Sequence, residues 1–368
     1  MLINGKHYQT IWLNEENNQI IQVFDQRFFP HKIEIFDIKN TDDAIFAIKE
    51  MVVRGAPLIG VTAAYGIYLA SLETQVRSNP DKYIEEVAQK LAQTRPTAVN
   101  LVWAIKQMLT AINQGESVEQ KINIALEKAN DIKQEDIEIC FKIGEYGLSL
   151  IKKIAEAKHG ETVNILTHCN AGWLATIDWG TATSPMYQAQ QAGIDIHVWV
   201  DETRPRNQGA NLTAFELNQQ GIPHTLITDN TGGHLMQHGM VDLVIVGTDR
   251  TTRNGDVANK IGTYLKALAA YDNNIPFYVA LPSSTLDCSI ADGITEISIE
   301  TRDQNEVKYI QGKVDGEIKS VLICPETTPA MNYGFDVTPA KYVTGLITER
   351  GICDASEEGI RSLFPEKF

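Results

Sequence analysis

Apolar and polar positions change rhythm partway along this chain. Over residues 1–40, short runs rich in β-branched and aromatic residues, such as 10–13 and 20–24, alternate with Asn- and Glu-rich turns. That pattern predicts short strands. From Thr41 the spacing becomes helical: Thr41, Asp42 and Asp43 supply a helix start, and AIFAIKEMVV carries apolar residues at helix-like intervals. Further amphipathic helices are expected over residues 83–93, 98–112, 118–129 and 135–158. The last is long enough to connect two domains.

Beyond Glu161 the chain alternates. TVNILTH, IDIHVWV, HTLITD, VDLVIVGTD and PFYVALP are short apolar runs separated by helix-sized mixed segments. Strands alternating with helices predict a parallel sheet covered on its faces. Cys169, Asp201, Asp229, Asp249 and Ser283 each follow one of these runs. They therefore fall at the carboxyl edge, where open parallel sheets bind ligands.

Composition narrows the function classes. A length of 368 residues predicts two domains, and the change of pattern puts them at 1–150 (β and helical) and 151–368 (parallel sheet). A formal net charge of −15 disfavours non-specific nucleic-acid binding, which needs clustered cations. A few converging arginines would still suffice for a small anion. No apolar run approaches the ~20 residues that cross a bilayer, and the first 30 residues lack a signal-peptide pattern. The five cysteines are widely spaced without a CxxC pair, which fits a reducing cytoplasm and free thiols. His234 and His238 lie four apart in HLMQH, but Leu235 stands where zinc enzymes carry Glu and no third ligand is evident. Neither GxGxxG nor GxxxxGK[ST] occurs, so no metal or cofactor is expected.

Four segments carry candidate chemistry. In THCNAG (residues 167–172), a thiol at a strand end, with small residues opening a helix, would lose its proton readily; a small buried apolar residue fits the same position. In DETRPRNQGA (201–210), Arg204 and Arg206 with Gly209 before a helix near Leu212 could clasp a phosphate, or form a solvated loop of ion pairs. In GTDRTTRNGD (247–256), Asp249 ends an apolar strand, where burial would raise its pKa into the general acid–base range; it could equally cap a helix or pair with Arg250. Arg54 in RGAP and Arg95 in TRPTAVN each adjoin a conformationally special residue, which suggests that the helical half lends cations to a cleft between domains.

Taken together, DQRFFPHK, RGAPLIG, TRPTAVNL, THCNAG, DETRPRNQGANLTAFEL, VGTDRTTRNGDVANKIGTY and FDVTP resemble the methylthioribose-1-phosphate isomerase family, in that family's order and over most of the chain. The resemblance implies an α/β fold, with a small N-terminal β plus helical domain followed by a Rossmann-like parallel-sheet domain, assembled as a homodimer. It implies aldose–ketose isomerisation of a small sugar phosphate in methionine salvage. It makes Cys169 and Asp249 the catalytic pair and assigns substrate contacts to Arg54, Gly55, Ala56, Arg95, Gln208, Asn259 and Lys260. Departures occur at Trp173 after CNAG, in RTTRNGD, and around MNYG before FDVTP. Two alternatives remain in the same superfamily. Ribose-1,5-bisphosphate isomerase would need cations for a second phosphate where this reading needs an apolar niche, with Trp173 as one candidate wall. The regulatory subunits of the initiation guanine-nucleotide exchange factor share the fold without catalysis.

Overall fold

The three strands Ile11–Leu13, Ile21–Phe24 and Ile35–Ile38 form an antiparallel sheet in the computed structural model, which describes residues 1–95 and 98–368. Helix α1 (Thr41–Lys49) then starts where its residues dictate. The Asn40 side chain accepts from the Asp43 amide, and Asp42 and Asp43 lie in the positive first turn.

Helix α2 (Ala56–Glu73) has no counterpart among the expected elements. Its residues are buried over almost their whole circumference, so no polar stripe exists to mark a helical period. The expectation that no run is long and apolar enough to span a bilayer is corrected here: Ala56–Val76 is, by length and composition. Most of that segment is buried, packed against α1, α3 (Pro80–Thr94), α4 (Val99–Ile112) and α5 (Val118–Ala157). Its polarity suits a core helix.

Helix α5 joins the two helices expected at 118–129 and 135–158 into one of 40 residues, about 60 Å at 1.5 Å per residue. The polar stretch between them contains no helix breaker, and Ile132 is buried within it. Ile122, Ala125, Ala129 and Ile132 enter the helical core, whereas Ile143 and Ile151 enter the core beneath the large sheet. Residue 150 thus falls inside α5.

The large sheet has seven strands in the order Gly351–Cys353, Gly345–Thr348, Phe277–Ala280, Leu243–Val246, Val163–Thr167, Ile196–Asp201, His224–Ile227. All neighbours are parallel except the first pair, which is antiparallel. After Val163–Thr167 the chain builds outward in one direction, then returns to place Leu243–Val246 on its other side. The switch point of the topology therefore lies between these two strands, where a crevice opens. Cys169 follows one of them and Asp249 the other. A four-stranded sheet, in the order Leu286–Asp287, Arg250–Thr252, Val257–Lys260, Phe335–Thr338, stands over this edge.

Candidate active site

The N-terminus of α2 enters the crevice from the helical half. Gly55 precedes it with φ +95°, and a Cβ there would overlap the backbone of Ala175. Only glycine allows this close approach. The positive end of an 18-residue helix thus lies at the cavity, with Gly55, Ala56 and Ile59 in its lining; Pro57 supplies no amide donor there.

Arg54, Gly55, Ala56, Arg95, Cys169, Gln208, Asp249 and Lys260 all line that cavity. Asn259 does not: its side-chain amide donates to Thr263 Oγ1 at 3.0 Å. Pro96 and Thr97 of the TRPTAVNL motif lie outside the described residues. Sequence reasoning missed the apolar wall formed by Met51, Ile59, Ile297, Ile299 and Phe335. Phe335 opens the FDVTP motif, so only its role was hidden. Residues 297–299 carried no distinguishing signal.

Cys169 is clamped. Its amide donates to Thr203 Oγ1 at 2.8 Å, its carbonyl accepts from Thr213 Oγ1 at 2.7 Å, and its thiol donates to Gln208 Oε1 at 2.8 Å. Its φ of +67° is unusual for a residue with a Cβ and is held by these bonds. The expectation of an easily ionised thiol at a helix start is corrected. No α-helix follows Cys169 directly, only a 3-10 turn at Trp173–Ala175, with the next α-helix at Ser184–Gln191. Burial pushes the thiol pKa up, although Arg54 and Lys260 pull it back.

Burial likewise raises the Asp249 carboxyl above its ordinary value, opposed by Lys260, Arg54 and Arg95. Burial lowers Lys260, while Cys169 and Asp249 raise it. The Lys260 ammonium lies 4.7 Å from the Phe335 ring centroid and donates to the Gly334 carbonyl at 2.8 Å. Arg54 donates to Asn170 Oδ1 and O at 2.5 and 2.9 Å, leaving its Nε unpartnered. Among the described residues Arg95 Nε and Nη1 are also buried without partners, and the Glu300 carboxylate is 3.8 Å from Arg95. Unspent buried donors of this kind suit an oxyanion ligand.

The obvious arginines point elsewhere. Arg204 donates to the carbonyls of Pro205 and Val307, and Arg206 pairs with Glu306 at 2.8 Å. Their loop still contributes through Gln208. Ser283 and Asp229 do not line the cavity: the Ser283 amide is bonded to Glu349, and Asp229 accepts the amides of Thr203 and Arg204. Trp173 is fully buried against Phe24, so it forms no part of the apolar niche. His234 and His238 stack on a surface helix, with His238 Nδ1 bonded to the carbonyl of His234. Among the described residues, one cluster has metal-like donor spacing: His168, Asp201 and Asp229. Lys266 Nζ lies 3.0 Å from Asp201 Oδ2, so a cation already serves the central carboxylate of the cluster.

Beneath the site, Glu216 accepts from Asn170 Nδ2, the Leu174 amide and Tyr187 Oη, and so supports the residue that holds Arg54. Burial lifts its pKa from the ordinary 4.5 to about 7. The folded chain therefore binds this proton more tightly than the unfolded one, and stability falls as pH rises across that window. Thermal melts of Glu216→Gln, which has the same shape, should show a smaller loss of Tm between about pH 5 and pH 8 than the unaltered chain. An unchanged slope would show that Glu216 does not titrate there.

Against this geometry, the comparisons with known proteins are consistent. The model of the initiation factor 2 subunit family matches residues 52–355. The chain is 58% identical to the methylthioribose-1-phosphate isomerase of Desulfatibacillum aliphaticivorans over 100% of both. Among solved structures it is similar to 5-methylthioribose 1-phosphate isomerase from Pyrococcus horikoshii, with TM-score 0.83 and 35% identity over 98% of this chain and 97% of that one. It is also similar to a protein described as translation initiation factor eIF-2B, subunit delta, from A. fulgidus, with TM-score 0.80 and 39% identity over 98% of this chain and 100% of that one.

Proposed function

Because this chain belongs to the initiation factor 2 subunit family, and within it to the methylthioribose-1-phosphate isomerases, we propose a mechanism in which Cys169 and Asp249 carry its reaction. It is an aldose–ketose isomerase that converts 5-methylthioribose 1-phosphate to 5-methylthioribulose 1-phosphate in methionine salvage. The observation that carries the mechanism is one cavity in which a thiol and a buried carboxyl share space with Arg54, Arg95 and Lys260.

The phosphate on the anomeric carbon blocks simple ring opening to an aldehyde. The C1–O4 bond must break with phosphate retained. O4 gains a proton, the C2–O–H loses one, and the hydrogen on C2 moves to C1. Asp249, its pKa raised by burial, donates to O4, and the carboxylate so formed takes the proton that the C2 hydroxyl loses. Cys169 assists the transfer between C2 and C1. Arg54, Arg95 and Lys260, with the backbone at Gly55 and Ala56, hold the phosphate, and Met51, Ile59, Ile297, Ile299 and Phe335 receive the methylthio group. Gln208 orients the thiol and contacts the sugar. Asn259 acts from behind, through Thr263. Burial of these groups strengthens each polar interaction and disfavours phosphate loss.

Several features complete this reading. Residues 1–150 and 151–368 act as two domains, the first lending Arg54–Ala56 and Arg95 to the second. The enzyme works as a cytoplasmic homodimer. A non-catalytic role, as in the initiation-factor relatives, would not require Cys169 and Asp249 to face a common cavity.

Proton and phosphorus NMR of purified chain with 5-methylthioribose 1-phosphate should show ketose formation. Ribose 1,5-bisphosphate should turn over at least ~100-fold less efficiently, because its second phosphate would have to desolvate against an apolar wall. Binding of 5-methylthioribose 1-phosphate without turnover would overturn the catalytic reading.

A further inference from the structure

His168 is fully buried next to Cys169, yet the reaction gives it no role. Its Nδ1 lies 2.8 Å from Asp201 Oδ2 and its Nε2 lies 2.9 Å from the carbonyl of Ile261. Both partners accept, so both bonds form only when each ring nitrogen carries a proton. Ile261 immediately follows Lys260. One imidazole therefore joins the backbone beside the thiol to the backbone beside the ammonium, across the switch point of the sheet.

The rest of the packing removes alternatives for this ring. Gly262, with φ +104°, lies against it, and a Cβ there would come within 3.0 Å of Cε1 and Nε2. Asp201 is anchored by Lys266, which also donates to the carbonyl of Asp229. Asp229 in turn holds the amide of Thr203, whose hydroxyl receives the Cys169 amide. Asp336 fixes the amides of Gly262 and Tyr264. The loops at 168–170, 201–204, 229 and 260–262 are thus braced on one buried charged cluster.

We propose that His168 is a positioning residue: by holding the Ile261 carbonyl it fixes Lys260 opposite Cys169, so that the phosphate seat is formed before substrate arrives. The inference rests on the reading above of Lys260 as a phosphate contact. It concerns Nε2 specifically. The bond from Nδ1 to Asp201 anchors the ring, and the bond from Nε2 transmits its position to the site.

Two substitutions separate the ring nitrogens. Asn places an amide nitrogen near the position of Nδ1 and keeps the Asp201 bond while losing Ile261. Gln places one near Nε2 and keeps Ile261. In steady-state kinetics, His168→Asn should raise KM for the sugar phosphate roughly tenfold with kcat changed less than about threefold, the pattern of lost ground-state binding. His168→Gln should hold KM within about threefold, and inhibition by inorganic phosphate should follow the same order. Equal KM values in the two variants would overturn the proposal. Should His168→Asn fail to fold, a tenfold rise of KM in His168→Gln would still do so. Lys260→Ala is the control for the premise: it should raise KM at least as much as His168→Asn. If it leaves KM unchanged, the phosphate role of Lys260 falls and the positioning role falls with it. If Lys260→Ala raises KM and His168→Asn does not, only the positioning role is wrong.

Discussion

Replacing Asp249 with Asn should lower kcat by ~10³-fold, about 4 kcal/mol of transition-state stabilisation, with KM within about threefold. The substitution keeps the shape of the side chain and the backbone bond from the Asp249 amide to the Ala258 carbonyl at 3.0 Å. What it removes is a proton that can be released to the ring oxygen. An amide can hydrogen-bond O4 but cannot protonate it as the C1–O4 bond breaks.

The pH profile gives this prediction a sign. Asp249 must be protonated to act as the acid, and burial holds its pKa above the ordinary carboxylate value. The kcat/KM of the unaltered enzyme should therefore fall as pH rises through that raised pKa. Residual activity of Asp249→Asn should lack this limb. Lys260, Arg54 and Arg95 oppose the shift, so occupancy of the seat by a phosphate dianion should move the limb of kcat to higher pH than that of kcat/KM. A profile identical in both proteins would assign the acid to another group.

The two halves of the chain differ in how much of the fold their residues reveal. The parallel sheet was legible because its strands are short apolar runs of distinct length, and the edge that carries Cys169 and Asp249 followed from strand direction. Helix α2 was not legible, since uniform burial erases the period that identifies a helix. The continuity of α5 was hidden by a polar stretch whose one buried residue, Ile132, keeps it packed. Within the site, guanidinium chemistry drew attention to Arg204 and Arg206, which the fold spends on Pro205, Val307 and Glu306. The environment of Cys169 was equally invisible. Its elevated pKa comes from burial produced by segments distant in the chain, and its fixed direction from Gln208, Thr203 and Thr213. Motif order drew attention to Cys169 and Asp249, whereas their ionisation depends on packing that no local pattern encodes.

Cys169→Ser should fold normally, keep KM within about threefold and lose ~10²- to 10³-fold in kcat. Serine is smaller by little and can still donate to Gln208 Oε1, so the sugar contacts persist. The hydroxyl is a weaker acid and a less polarisable neighbour for the carbon centres between which hydrogen moves. The nature of that movement follows from the thiol's surroundings. The sulfur donates to Gln208 at 2.8 Å and burial favours its neutral form, so it is poorly placed to accept a hydrogen from C2 as a base. The thiol instead stays neutral with its hydrogen bonded to Gln208, and its polarisable sulfur faces the reacting carbons while the hydrogen passes directly from C2 to C1. Turnover in heavy water should then give a ketose with little deuterium at C1, read by proton NMR. Substantial deuterium there would mean that the C2 hydrogen reaches a group exchanging with solvent, which would make Cys169 a base and require the thiolate. The pH dependence would discriminate in the same direction, because a thiolate base would make kcat rise, not fall, as pH approaches the elevated thiol pKa.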